Sequence, residues 1–155
     1  MKTILILTFN LFFTILAFGQ NGVAAKRVAN YNLNNNIAIQ GYDPVSYFVD
    51  AKATKGKKEF SSTYLGVVYQ FASLANKMLF DKNPAAYEPQ YGGWCAYAMG
   101  EKGEKVEINP ETFKIIEGKL YLFYNAFFNN TLKEWNKNQT VLKKNADANW
   151  IKISK

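Results

Sequence analysis

The sequence predicts a small single α+β domain with two β-hairpins and several short helices. Two observations lead to it. Two β-rich runs fold back about central turn pairs, Leu65-Gly66 and Glu117-Gly118, and helix-type spacing of apolar residues follows Ser73 and recurs beyond Ala126. No internal repeat or long linker divides the 155 residues, a length that suits one domain. The expected organisation is a signal peptide over 1–19, a polar lead segment over 20–36 and the domain over 37–155.

The first stretch reads as an export signal. Lys2 supplies the positive start, Ile4 to Phe18 is an apolar run, and Ala17-Phe18-Gly19 offers small residues for cleavage before Gln20. The run is about fifteen residues, short of the roughly twenty that a membrane span needs, so no transmembrane anchor is expected after cleavage and the location is periplasmic or secreted. Gln20 to Asn36 is polar and Asn-rich. A short strand is expected over Ala38 to Gln40, and then Asp43 caps a helical turn opened by Pro44. Glu59 to Ala72 forms the first hairpin. Ser73 caps a helix whose apolar residues are Leu74, Ala75, Met78 and Leu79, ending near Asn83, and Pro84 opens a last turn towards Tyr87. Thr112 to Ile116 and Lys119 to Tyr124 form the second hairpin. Ala126 to Lys137 and Thr140 to Trp150 give one or two helices, with Phe127, Leu132, Trp135, Leu142 and Trp150 directed inward.

Composition removes whole classes of chemistry. The chain has no histidine, which excludes a Ser-His-Asp triad, a Cys-His pair and every histidine-ligated metal site. Its single cysteine cannot form an intrachain disulfide, so an apolar core must supply the stability. The net charge of +7 comes from dispersed lysines, including Lys52, Lys55, Lys57, Lys58, Lys133, Lys137, Lys143 and Lys144. These read as a solvated face, and with an export signal no nucleic-acid partner is expected; attraction to an anionic envelope surface is the alternative.

Several blocks together resemble a known family. Tyr64-Leu65-Gly66-Val67-Val68-Tyr69-Gln70-Phe71-Ala72-Ser73, then Asn76, Phe80, Asn83-Pro84 and Tyr87, preceded by Asp43-Pro44-Val45, resemble the YHS domain. Gly41 to Phe48, Pro89-Gln90-Tyr91-Gly92-Gly93-Trp94-Cys95-Ala96-Tyr97, Gly118 to Leu122 and Asp147-Ala148-Asn149-Trp150 are similar to exported YHS-domain proteins whose cysteine position is sometimes selenocysteine. The resemblance spans Ile37 to Trp150. Metal-binding members of the wider group place cysteines where this chain has Ser46, Ala72 and Asn76, so a thiolate cage is not implied here.

Cys95 is the residue with distinctive chemistry. Gly92 and Gly93 precede it, and a helix starting after Gly93 would put it in the first turn, where the dipole and free N–H groups favour thiolate. Exchange with selenocysteine in the family implies a redox-active or soft-ligand position, whereas the opposing reading is a buried packing cysteine. Met99, one helical turn on, would add a second soft atom and Met78 a third, a set suited to copper. Tyr91, Gly92, Gly93, Trp94 and Tyr97 are the candidate pocket residues. Three functions follow: a small exported binding or redox protein using Cys95 as soft-metal ligand or thiol, a thiol-dependent oxidoreductase with Cys95 as its catalytic residue, and a structural or interaction domain with an inert cysteine. Neither the protein partner nor the metal is legible.

Overall fold

A computed structural model describes residues 22–155. The export signal expected over residues 1–19 lies outside the described residues. Helix α1 occupies residues 22–30. Strands β1 (Leu33–Asn34) and β2 (Ile37–Ala38) and a 3-10 turn (Ile39–Gly41) follow it. Next come α2 (Ser46–Val49), β3 (Lys57–Tyr64), β4 (Val67–Phe71), α3 (Leu74–Lys82), α4 (Pro84–Tyr87), a second 3-10 turn (Gln90–Gly93) and α5 (Ala96–Glu101). The chain finishes with β5 (Asn109–Ile116), β6 (Lys119–Phe123), β7 (Asn125–Ala126), β8 (Asn129–Asn130), α6 (Thr131–Lys137) and α7 (Gln139–Ile153). The α+β expectation holds.

The larger sheet runs β1-β2-β4-β3, with β2 parallel to β4 and the other neighbours antiparallel. Both expected hairpins form. Their turns each place two residues at positive φ, Leu65 and Gly66 in β3–β4 and Glu117 and Gly118 in β5–β6, the backbone twist that matches a two-residue hairpin loop. Among the described residues no helix is long and apolar enough to cross a membrane.

The core consists of two packed clusters that share β6. Leu120 and Leu122 face the first, with Val45, Tyr47, Val67, Tyr69, Phe71, Phe80 and Cys95; Tyr121 and Phe123 face the second, with Tyr91, Met99, Trp135 and Ala146. Alternate side chains of a strand point to opposite faces, so one strand buried on both sides serves two cores. Phe80 is the centre of the first, its ring 4.7 Å from Tyr69 and 5.1 Å from Phe71.

Fully buried Asp43 binds three separate pieces of this fold together. One carboxylate oxygen accepts the N–H groups of Val45 (2.8 Å) and Ser46 (3.3 Å), capping α2 as the sequence anticipated. The other accepts the Ala72 N–H (2.8 Å), at the end of β4, and the Asn76 amide (2.7 Å), on α3. Ser73 caps α3 by accepting the Asn76 N–H (3.2 Å). Hydrogen bonds to an ionised acceptor in a dry site are among the stronger ones.

Three local expectations are corrected. The expected strand Ala38 to Gln40 stops at Ala38, because Ile39 and Gln40 take positive φ (51° and 52°) and turn the chain. On α3, which forms as expected, Leu74, Met78 and Leu79 are exposed and Phe80 is the buried anchor where the helix packs across β3 and β4. Residues 126–130 are not helical: they form the β7–β8 hairpin, and α6 starts at Thr131, where the Asn130 side chain accepts the Leu132 N–H (3.1 Å). Phe127 consequently points to solvent instead of inward, beside an equally exposed Phe128. Both have positive φ (50° and 65°), a conformation that costs side-chain-bearing residues roughly 1–2 kcal/mol each. The polar lead segment also holds more than its composition announced, since it carries α1 and contributes β1 to the larger sheet.

Removing the Asp43 carboxylate leaves three backbone N–H groups and one amide without their acceptor. Asp43→Ala is expected to lower unfolding stability by at least about 3 kcal/mol, and Asp43→Asn by less, read from urea midpoints of the three proteins.

Candidate functional site

The segment from Tyr91 to Met99 carries the expected site residues, and its geometry begins with backbone conformation. Tyr91, Gly92 and Gly93 all have positive φ (55°, 60° and 85°), so the chain reverses tightly before α5. At Gly92 a side chain has no space: a Cβ there would stand 2.8 Å from both the Tyr31 and Trp150 rings. The Gly92 carbonyl accepts the Asn32 N–H (2.9 Å), the Gly93 carbonyl the Asn32 amide (3.3 Å), and the Trp94 indole donates to the Asn30 carbonyl (2.7 Å). The Tyr91 hydroxyl donates to Asp147 on α7 (2.8 Å). The residues expected to form a pocket thus hold the N-terminal segment and the C-terminal helix against one turn. Tyr97 stands apart, donating to Glu101 one helical turn along (2.6 Å).

Cys95 is the residue immediately before α5, one position earlier than a first-turn placement, and it has no solvent exposure. Its N–H donates to the Val106 carbonyl (2.9 Å) and its carbonyl accepts the Met99 N–H (3.0 Å). Two polar groups meet its sulfur. The Tyr124 N–H donates to Sγ (3.3 Å), and Thr131 Oγ1 lies 3.4 Å away. The Thr131 hydroxyl has one hydrogen and aims it at the Tyr124 carbonyl (2.9 Å), which leaves the thiol as the donor in its contact with Thr131. The sulfur therefore donates once and accepts once inside the core.

The other sulfurs are placed differently. Met99 is fully buried but packs in the second cluster, against Tyr121, Phe123 and Trp135, while Cys95 belongs to the first. Met78 is 65% exposed on α3 and is not in the same environment. Among the described residues no group of three or more His, Cys, Asp or Glu side chains is disposed to hold a metal ion.

Ser46, Ala72 and Asn76, the positions read against the metal-binding members, do converge in space. What they surround is the Asp43 carboxylate, through the N–H groups of Ser46 and Ala72 and the amide of Asn76. The Ser46 hydroxyl is itself engaged with the carbonyls of Asp43 and Lys52, both at 2.9 Å. A thiolate-type metal does not fit this arrangement, because the donors are absent and the carboxylate is already satisfied.

A second polar cluster was missed from sequence. Glu88 accepts from both Arg27 and Tyr69, and Arg27 also donates to the Tyr31 hydroxyl (2.6 Å). The guanidinium lies 4.4 Å from the Tyr31 ring centroid and 5.3 Å from that of Tyr64, so it docks α1 by charge and by stacking together. Nothing local marks the pair, as 61 residues separate Arg27 from Glu88.

Several tyrosine hydroxyls titrate late. Burial pushes Tyr47, Tyr69 and Tyr91 far above the usual tyrosine range, while the hydrogen bond to Glu101 is the main cause that lifts Tyr97 to about 12. Below about pH 10 both folded and unfolded chains keep these protons, so their contribution to stability is level. Above it the unfolded chain releases protons that the folded chain retains, and stability falls as pH rises. Tyrosinate absorbance should show Tyr47, Tyr69 and Tyr91 ionising only together with unfolding. A second expectation concerns packing: Gly92→Ala should destabilise by about 2–4 kcal/mol, through the clash with Tyr31 and Trp150 and the positive φ, measured by denaturant unfolding.

No curated protein and no solved structure matches the chain. The family model of the YHS domain matches residues 45–91, which run from the Asp43-capped turn through the β3–β4 hairpin, α3 and α4 to the turn at Tyr91. Cys95 lies beyond the matched segment. The chain is a YHS domain-containing protein.

Proposed function

We propose that this is an exported YHS-domain protein that acts as a non-catalytic binding or interaction module, with Cys95 a packed thiol inside it. The observation that carries the reading is the sulfur's environment: no solvent exposure, one N–H donated to it and its own hydrogen directed at Thr131. A catalytic or redox thiol needs access for its co-substrate and a route to thiolate. Export is supported by Lys2, the apolar run Ile4 to Phe18 and the small residues Ala17 and Gly19. The lack of histidine and the hydrogen-bonded Asp43 in place of a thiolate cage argue against a transition-metal centre of the nitrogen or sulfur type.

The test is the rate at which a small thiol-specific reagent modifies Cys95 across pH, with and without one equivalent of Cu(I). Native protein is expected to react at least about a thousandfold slower than protein in denaturant, with no effect of copper. Fast native labelling that copper suppresses would replace this reading by a soft-metal site of Cys95 and Met99, and peroxide-dependent sulfenic acid at Cys95 would replace it by a thiol oxidoreductase. N-terminal sequencing of the protein recovered outside the cytoplasm is expected to begin at Gln20.

A further inference from the structure

The two phenylalanines of the β7–β8 turn are the most exposed large apolar residues among those described, Phe127 at 92% and Phe128 completely. Turns of this kind favour Asn and Gly, and asparagines surround this one at Asn125, Asn129 and Asn130, yet the two turn positions hold aromatic rings at positive φ. Neither turn chemistry nor core packing accounts for them. The base of the hairpin, by contrast, is well braced. Asn125 donates to Thr112 (3.0 Å), its carbonyl accepts the Asn109 amide (3.4 Å), and the Thr131 N–H donates to the Tyr124 carbonyl (3.0 Å) beside the Cys95 sulfur. The braced base thus carries a tip at which both rings are exposed.

Charge selects the occupant. Residues 109–155 contain eight lysines against four acids, within a chain of net charge +7. Lys133, exposed in the first turn of α6, follows the hairpin directly, and its neighbour Glu134 is held by Lys137 (2.7 Å). The exposed Asn129 beside the tip suits a hydrated headgroup layer, and the rings suit the acyl boundary beneath it. An exposed apolar tip beside Lys133, on a chain of net charge +7, is complementary to an anionic bilayer, whose attraction for lysines reaches about a Debye length.

We propose that the β7–β8 tip docks the protein peripherally on an anionic lipid surface, with Phe127 and Phe128 entering the headgroup boundary and Lys133 among the lysines that supply the attraction. This goes beyond the proposed function and does not depend on the state of Cys95.

The test reports locally, so other apolar parts of the full chain do not enter it. Phe128→Trp places an indole at the tip, and vesicles of equimolar phosphatidylglycerol and phosphatidylcholine carry brominated acyl chains. The expected result is a blue shift and at least about twofold quenching beyond that of the parent protein, whose tryptophans are Trp94, Trp135 and Trp150. The effect should be absent on pure phosphatidylcholine and should fall by more than half when Phe127→Asn is added. An unchanged melting midpoint in Phe128→Trp verifies the fold. Quenching no greater than the parent's overturns the proposal, and so does equal quenching on neutral and anionic vesicles. A tip that stays in water on both vesicles but crosslinks from position 128 to an envelope protein would assign it to a protein pocket instead.

Discussion

Four N–H donors from three elements end on one buried carboxylate, and the arrangement of the first half of the domain follows from that convergence. Asp43 draws the N-terminus of α2, the end of β4 and the first turn of α3 to a common point. With these fixed, Tyr47, Phe71 and Phe80 are brought into the same core, and the β3–β4 hairpin has one angle at which it can meet the rest. A charged acceptor in a dry site is tolerated because its lone pairs are filled, so satisfaction and geometry are specified together. A metal ion can converge chain segments in much the same way; here an internal anion and its amides do so.

The second half is organised differently, around a strand instead of a charge. Because β6 is buried on both faces, the hairpin β5–β6 is the partition between two aromatic clusters, and α5, α6 and α7 close the far side of it. Cys95 sits next to this partition. Its contacts with Tyr124 and Thr131 join the end of β6 to the start of α6, and they brace the β7–β8 hairpin from within. In that position the sulfur acts as a compact donor and acceptor within the core.

Legibility in the sequence followed the range of the interaction. Turn pairs such as Leu65-Gly66 and Glu117-Gly118, the Ser73 cap and the Asn83-Pro84 break are local, and each was read with its partner residues only a few positions away. Asp43 was legible as a helix cap but not as the acceptor for Ala72 and Asn76, which lie 29 and 33 residues on. The helical spacing of Leu74, Met78 and Leu79 marked the helix correctly, while its buried anchor is Phe80. Phe127 misled: hydrophobicity argues for the core, and only the backbone reversal reveals it at a tip. At the candidate site the packing over Gly92 was not legible, because Tyr31 and Trp150, which occupy that space, are far apart in sequence.

That sandwich has a consequence for biosynthesis. Tyr31 and Trp150 meet over Gly92 with ring centroids 5.9 Å apart, and Val23 and Ser154 line one cleft. The first described helix therefore cannot complete its packing until the last helix has been made. Contacts of such high sequence separation are closed late and slowly. The Tyr31–Trp150 contact thus closes only after α7 has been made, whereas every residue that gathers around Asp43 is on hand long before.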